Sequence, residues 1–172
     1  MKKIFLFVLC FASLISCEKD SEIEGGLKES TFFKITEFKI SENSIDLNND
    51  NIPNSNMLLE FLSYFNNTYD LQIQKNNNSS LISFYIPHQN IFYDYVCCPN
   101  GYVEFSKNGF TINQDKNETT LENQVIENGI KIISFVKTDN SSYNLILEKK
   151  YYDFSLNTES SNVYEIKYEI IN

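Results

Sequence analysis

Tyr164-Glu165-Ile166-Lys167-Tyr168-Glu169-Ile170 decides the fold class. Apolar residues fall at every second position with charged residues between them. Successive side chains of a strand point to opposite faces, so this is the pattern of a half-buried β-strand. Working back along the chain, segments near 32–40, 69–75, 80–86, 91–96, 102–106, 109–113, 119–126, 130–137 and 142–151 read the same way, separated by Asn-, Ser- and Gly-rich turns. The pairs Asn108-Gly109 and Asn128-Gly129 predict hairpin turns, because both positions tolerate positive φ. Strands this numerous and closely spaced predict an all-β domain, an antiparallel meander closing as a barrel or stacked as a sandwich.

One segment departs from the alternation. Between Ser55 and Phe65, the residues Met57, Leu58, Phe61, Leu62 and Phe65 share one face at helical spacing, with Asn54, Ser55 or Asn56 available as the cap. A single short helix over a sheet edge or barrel end is expected. The order strand, polar loop, helix and strand meander resembles the lipocalin-like domains of bacterial lipoproteins. That resemblance implies a lipocalin-like barrel.

The N-terminus reads as a targeting segment. Met1-Lys2-Lys3 precedes a run from Ile4 to Ile15 that is apolar except for Cys10 and Ser13, followed by Ser16-Cys17. The run is too short for a permanent span and suits a secretory signal. Leu14-Ile15-Ser16-Cys17 resembles the lipobox of bacterial lipoproteins, which implies a signal peptide at 1–16, lipidation of Cys17 and an outer-membrane location. Glu18-Lys19-Asp20-Ser21-Glu22 is similar to the acidic export tags of surface lipoproteins, implying exposure at the cell surface; a periplasm-facing position is the alternative. Residues 17–30, acidic and carrying Gly25-Gly26, then form a flexible tether to one domain at 31–172.

Charge narrows the partners. Without residues 1–16 the chain keeps 12 lysines against 23 acids, a charge of about −11, and has no arginine. Phosphate recognition leans on basic patches and arginine forks, so no nucleic-acid partner is expected. Contact with a membrane is expected through the lipid anchor and not through surface charge. Asparagine is abundant throughout, which makes Asn-based motifs easy to meet by chance.

Three constellations are candidates for chemistry. In Asp46-Leu47-Asn48-Asn49-Asp50-Asn51-Ile52-Pro53-Asn54, oxygens at positions 1, 3 and 5 and the carbonyl of position 7 can surround a hard cation. The run resembles EF-hand-like, dockerin-like and thrombospondin-type calcium loops. By position this implies Asp46, Asn48, Asp50, the Ile52 carbonyl and Asn54 as ligands, with calcium as the one candidate cofactor. Asn51 stands where glycine is expected and Met57 where an acid is expected, with Glu60 a substitute if the loop closes towards it. The alternative is an Asx-turn cluster capping the helix.

The second constellation is Cys97-Cys98, the thiols left once Cys10 is cleaved away and Cys17 is lipidated. An oxidising envelope favours a vicinal disulfide stiffening the turn chemistry of Pro99-Asn100-Gly101; free buried thiols, interchain disulfides and metal ligation are the other readings. The third is aromatic: Tyr85, His88, Phe92, Tyr93, Tyr95 and Tyr102 suit a ligand surface. Ordinary sheet packing, with Ile82, Phe84 and Ile86 inward, is the other reading. The one histidine has no Gly-x-Ser-x-Gly nucleophile partner, and no acidic pair is singled out. The expectation is a non-catalytic domain that binds a ligand or an envelope protein. A structural subunit of an envelope complex is the alternative, with a carboxylate-dependent hydrolase behind it.

Overall fold

The computed structural model describes residues 29–61, 64, 69–94, 98–115, 120–126 and 129–171. Eight strands, β1 (Glu29–Ile40), β2 (Leu71–Lys75), β3 (Ser79–Asp94), β4 (Cys98–Asp115), β5 (Thr120–Ile126), β6 (Ile130–Lys137), β7 (Ser142–Asp153) and β8 (Thr158–Ile170), are joined by one short helix, α1 (Met57–Glu60), between β1 and β2. All pairings are antiparallel, in the single-sheet order β4-β3-β2-β1-β8-β7-β6-β5. This is an up-and-down meander whose first and last strands are paired, as in a barrel, and whose open seam falls between β4 and β5. Of the barrel and the sandwich, one continuous curled sheet is the barrel-type arrangement.

The alternation in β8 holds. Tyr164, Ile166 and Tyr168 are fully buried, while Glu165 points outward. Ile82, Phe84 and Ile86 of β3 also face inward. Curling follows from ring contacts between strands that are not neighbours. Phe84 of β3 meets Phe135 of β6 edge-on at 4.9 Å, and Phe33 of β1 meets Tyr143 of β7 at 5.2 Å. Four strands separate β3 from β6 in the sheet, so the inner face must close on itself. Each ring removed from water there contributes roughly 1.5–3 kcal/mol.

Three expectations change. The segment near 80–86 and the described part of that near 91–96 are one strand, β3, and those near 102–106 and 109–113 are one strand, β4. Asn108-Gly109 therefore makes no hairpin turn. Gly109 pairs with Tyr85, and a Cβ there would lie 2.8 Å from the Tyr85 ring, so the missing side chain accommodates that ring. The hairpin signal at Asn128-Gly129 is met by Gly129, at φ +74°, between the paired Ile126 and Ile130. The helix is shorter than 55–65. Asn56 caps it through a bond from the Leu58 N–H (3.1 Å), and a tighter turn follows in which Tyr64 N–H donates to Phe61 O (2.8 Å). One turn of helix has little stability of its own; Met57 and Phe61 hold it by inserting into the core. Finally, β1 begins at Glu29, two residues before the expected domain start.

The strands define two ends. Glu29, Lys75, Ser79 and Asp115 lie at the near end, where the chain enters the domain. Residues 41–56, α1, the tip of the β3–β4 hairpin and the β7–β8 turn lie at the far end. Asp70 marks an interruption along β1. Its Oδ2 accepts from the Ile35 N–H (3.0 Å) where the β1–β2 ladder stops, beside a bulge between Ile35 and Glu37.

Candidate functional site

The Asp46–Asn54 loop is closed at its base by reciprocal backbone bonds between Ile45 and Asn54, both 3.0 Å. Within it, carboxylates serve as acceptors for backbone N–H groups. Asp46, which is buried, accepts from Asn49 N (2.8 Å) and Asn51 N (3.0 Å). Asp50 accepts from Ile52 N (2.7 Å), and Asn48 Oδ1 accepts from Asp50 N (3.0 Å). Asn49 and Asn51 stand at φ 64° and 66°, a conformation that asparagine adopts more easily than other non-glycine residues.

Glu60 completes the loop. Its Oε2 accepts from Leu47 N (2.7 Å) and Asn48 N (3.2 Å), and its Oε1 from Asn54 Nδ2 (2.6 Å). Burial pushes the Glu60 carboxyl above its ordinary range, and the charge of Asp46 adds to this. The three hydrogen bonds pull the other way. The loop thus has the Asx-turn and capping architecture, tied back to α1. Asp153 joins it from β7, accepting from Asp46 N (3.3 Å) and from Ser155 N (2.9 Å). Among the described residues no group of three or more His, Cys, Asp or Glu is placed to hold a metal. A cation here would rest on Asp46 and Asp50 together with the neutral oxygens of Asn48, Ile52 and Asn54.

Beside this loop rises the β3–β4 hairpin. Only five residues of β3, Ser80 to Phe84, pair with β2, so the rest of β3 reaches past its neighbour on that side. Gln89 fastens the projecting part. Its Oε1 accepts from Tyr152 N (2.8 Å), and its Nε2 donates to Tyr152 O (3.0 Å) and Leu47 O (2.8 Å). A side-chain amide here does the work of a strand neighbour. Tyr151 Oη adds a bond to Pro87 O (2.6 Å).

The expected aromatic surface divides. Tyr85 lies lower on the hairpin, edge-on to Tyr69 at 5.5 Å, with Lys107 Nζ 4.0 Å above its ring. His88 is exposed and pairs with Ser106 in the ladder. Burial, and then the charge of Lys149, push its pKa down. Phe92, Tyr93 and Tyr102 form the tip, 41%, 62% and 40% exposed. Phe92 and Tyr102 are paired in register and stacked at 5.1 Å. Gly101, at φ +80°, precedes Tyr102, and the Tyr93 ring lies against it. The expected Pro99-Asn100-Gly101 turn is instead the first part of β4, since Asp94 already pairs with Cys98. Cys17, Tyr95 and Cys97 lie outside the described residues, as does the side chain of Cys98.

A polar groove of about 340 Å³ crosses the outer face between Glu37, Lys39, Asp139 and Lys167. Two others, of about 320 and 220 Å³, lie along the rim near Asn43 and Asn162. None of these three is lined by the inward aromatic rings. Sequence reasoning passed over Gln89, Asp153 and Lys149. The last was open to detection, since Leu145, Leu147, Lys149 and Tyr151 alternate inward along β7 and place a lysine in the apolar phase. No protein family, curated protein or solved structure matches the chain.

Proposed function

We propose that this chain is a lipid-anchored outer-membrane protein, attached through Cys17, whose β domain is non-catalytic and docks a partner at its far end. The observation that carries this reading is the distribution of exposed apolar side chains. Of the nine large ones among the described residues, six stand at the far end: Ile52, Leu59, Phe92, Tyr93, Tyr102 and Leu156. Single exposed apolar residues are ordinary, but their concentration on one surface is the mark of an interaction site. The interior is packed with rings, which favours a surface role over a deep pocket. The chain enters at the opposite end, so a tether of residues 17–28 leaves the aromatic tip turned away from the anchor. β3 alone, 16 residues long, extends roughly 50 Å between the two ends.

Two measurements test this. Labelling of growing cells with an alkyne fatty acid should mark the protein, and Cys17→Ala should abolish the label; an unlabelled wild-type chain overturns the anchor. A photo-crosslinking residue at Tyr93 should give one discrete adduct in intact cells, and the same residue at Val136, near the other end, should give none. Equal adducts at both positions overturn the docking site.

Calcium at the Asp46–Asn54 loop is a second reading, favoured by one observation: the Asp46 charge adds to the burial that disfavours ionised Glu60. A cation would relieve that repulsion. Millimolar calcium should raise the melting temperature of the wild type and not of Asp50→Ala, in keeping with extracellular sites of about 10⁻⁴–10⁻³ M affinity. No shift in the wild type removes the site.

A further inference from the structure

The seam leaves β4 with a free edge. Among the described residues β4 pairs with β3 alone, although it is 18 residues long. An antiparallel strand bonds each neighbour through alternate residues, so about half of its backbone N–H and C=O groups face the seam. Such an edge invites another strand, and proteins usually guard it by shortness, a bulge, proline or an outward lysine. β5, across the seam, is guarded by its length of seven residues. β4 has none of these along its main run. Its pairing with β3 is unbroken from Asp115 to Tyr102, and its one proline, Pro99, lies beyond that run. Its one lysine, Lys107, is turned away from the edge. The Lys107 amine donates to Tyr69 O (2.7 Å) and lies over the Tyr69 and Tyr85 rings at 4.3 and 4.0 Å, on the side of β2 and β3.

We propose that the free edge of β4 takes up an extended segment of a basic partner protein as an added strand, its apolar residues at alternate positions turned onto Phe110 and Ile112. Three features select that occupant. The unspent backbone groups admit only an extended chain, which pairs through its own main chain. Phe110 and Ile112 pack against the core yet stay partly exposed, because no strand covers them on the seam side. With Lys107 committed, the remaining charges of β4 are Glu104 and Asp115, both exposed and in no ion pair among the described residues. They call for lysine or arginine on the outward positions of the incoming strand. A second copy would bring the same acids and a net charge of −9. The edge begins beside the ring tip, at Tyr102, so this inference deepens the docking reading and rests on it for the partner itself.

Amide exchange of the full chain in detergent, followed residue by residue, tests the edge. In the chain alone, alternate amides between Tyr102 and Asp115 should exchange at least about tenfold faster than their neighbours bonded to β3. A capped nine-residue peptide alternating valine with lysine should slow that fast set by about tenfold and leave β8, paired on both edges, unchanged. The same peptide with proline for valine cannot donate to a ladder and should have no effect. Glutamate for lysine in the peptide, or Glu104→Lys in the chain, should weaken binding several-fold, and more at low salt. A fast set that the valine–lysine peptide leaves unchanged overturns the proposal, as does an edge already protected in the chain alone. Protection that needs no peptide and rises with chain concentration makes the occupant a second copy and also overturns it. The two readings fail separately: an adduct at position 93 with no protection along β4 keeps the tip and removes the added strand, while protection without that adduct keeps the edge and removes the tip.

Discussion

The Asp46–Asn54 loop and the tip of the β3–β4 hairpin stand at the same end of the domain and use their side chains in opposite ways. In the loop nearly every polar atom is turned back on the chain: Asp46, Asp50 and Glu60 accept from backbone N–H groups of the loop itself. At the tip the apolar side chains are turned outward, and Phe92 and Tyr102 stack on one another with about two-fifths of each left in solvent. In the described residues the loop's carboxylates brace the backbone, and the tip's rings reach solvent. Stability should therefore reside in the loop and recognition in the tip.

The sharpest way to break this contrast is Glu60→Ala. It leaves Leu47 N and Asn48 N without the Glu60 acceptor and takes from Asn54 Nδ2 one of its two, and buried donors left unmade cost about 1–3 kcal/mol each. Partial rehydration reduces the sum, so a loss of about 3 kcal/mol in urea unfolding is expected. Gln89→Ala comes next, because it cuts the hairpin from the loop and from β7; about 2 kcal/mol should be lost, with faster amide exchange confined to residues 87–94.

Acidity sharpens the comparison further. Burial raises the Glu60 carboxyl above its ordinary 4.5. The folded chain therefore binds that proton more tightly than the unfolded chain does. Its stabilising effect is complete below 4.5 and is lost as the pH rises through the folded value. The stability of the wild type relative to Glu60→Gln should accordingly improve as the pH falls from 7 towards 4.5; a constant difference would place Glu60 in water. The smallest effect is expected at the tip. Phe92→Ser with Tyr102→Ser should change unfolding by under about 1 kcal/mol while removing the adduct formed from the photo-crosslinking residue at position 93. A large loss of stability would show that the rings are core after all.

The period-two pattern of residues 164–170 was enough to identify a strand with one buried face, because burial acts on every second side chain and leaves a regular trace. The same logic located Ile82, Phe84 and Ile86. What it could not separate was a turn from a close approach. Asn108-Gly109 satisfies both, and only the Tyr85 ring on the partner strand distinguishes them. The helix was legible as a face and not as a length: among the described residues Met57, Phe61 and Tyr64 enter the core, while the helix spans only Met57–Glu60. Glu60 was reachable through its position after the loop, but its bonds depend on how the loop closes. Gln89 acts between elements distant in the chain, bonding Leu47 and Tyr152, and nothing near it in the sequence names those partners.

The pairing of β1 with β8 has a mechanical consequence. A pull between the chain entry at Glu29 and a partner held at the hairpin tip runs along the strands, not across them. Each ladder is then loaded lengthwise, so its hydrogen bonds share the force and must fail together instead of parting one at a time. Held at those two ends, the domain would resist tension along its strands.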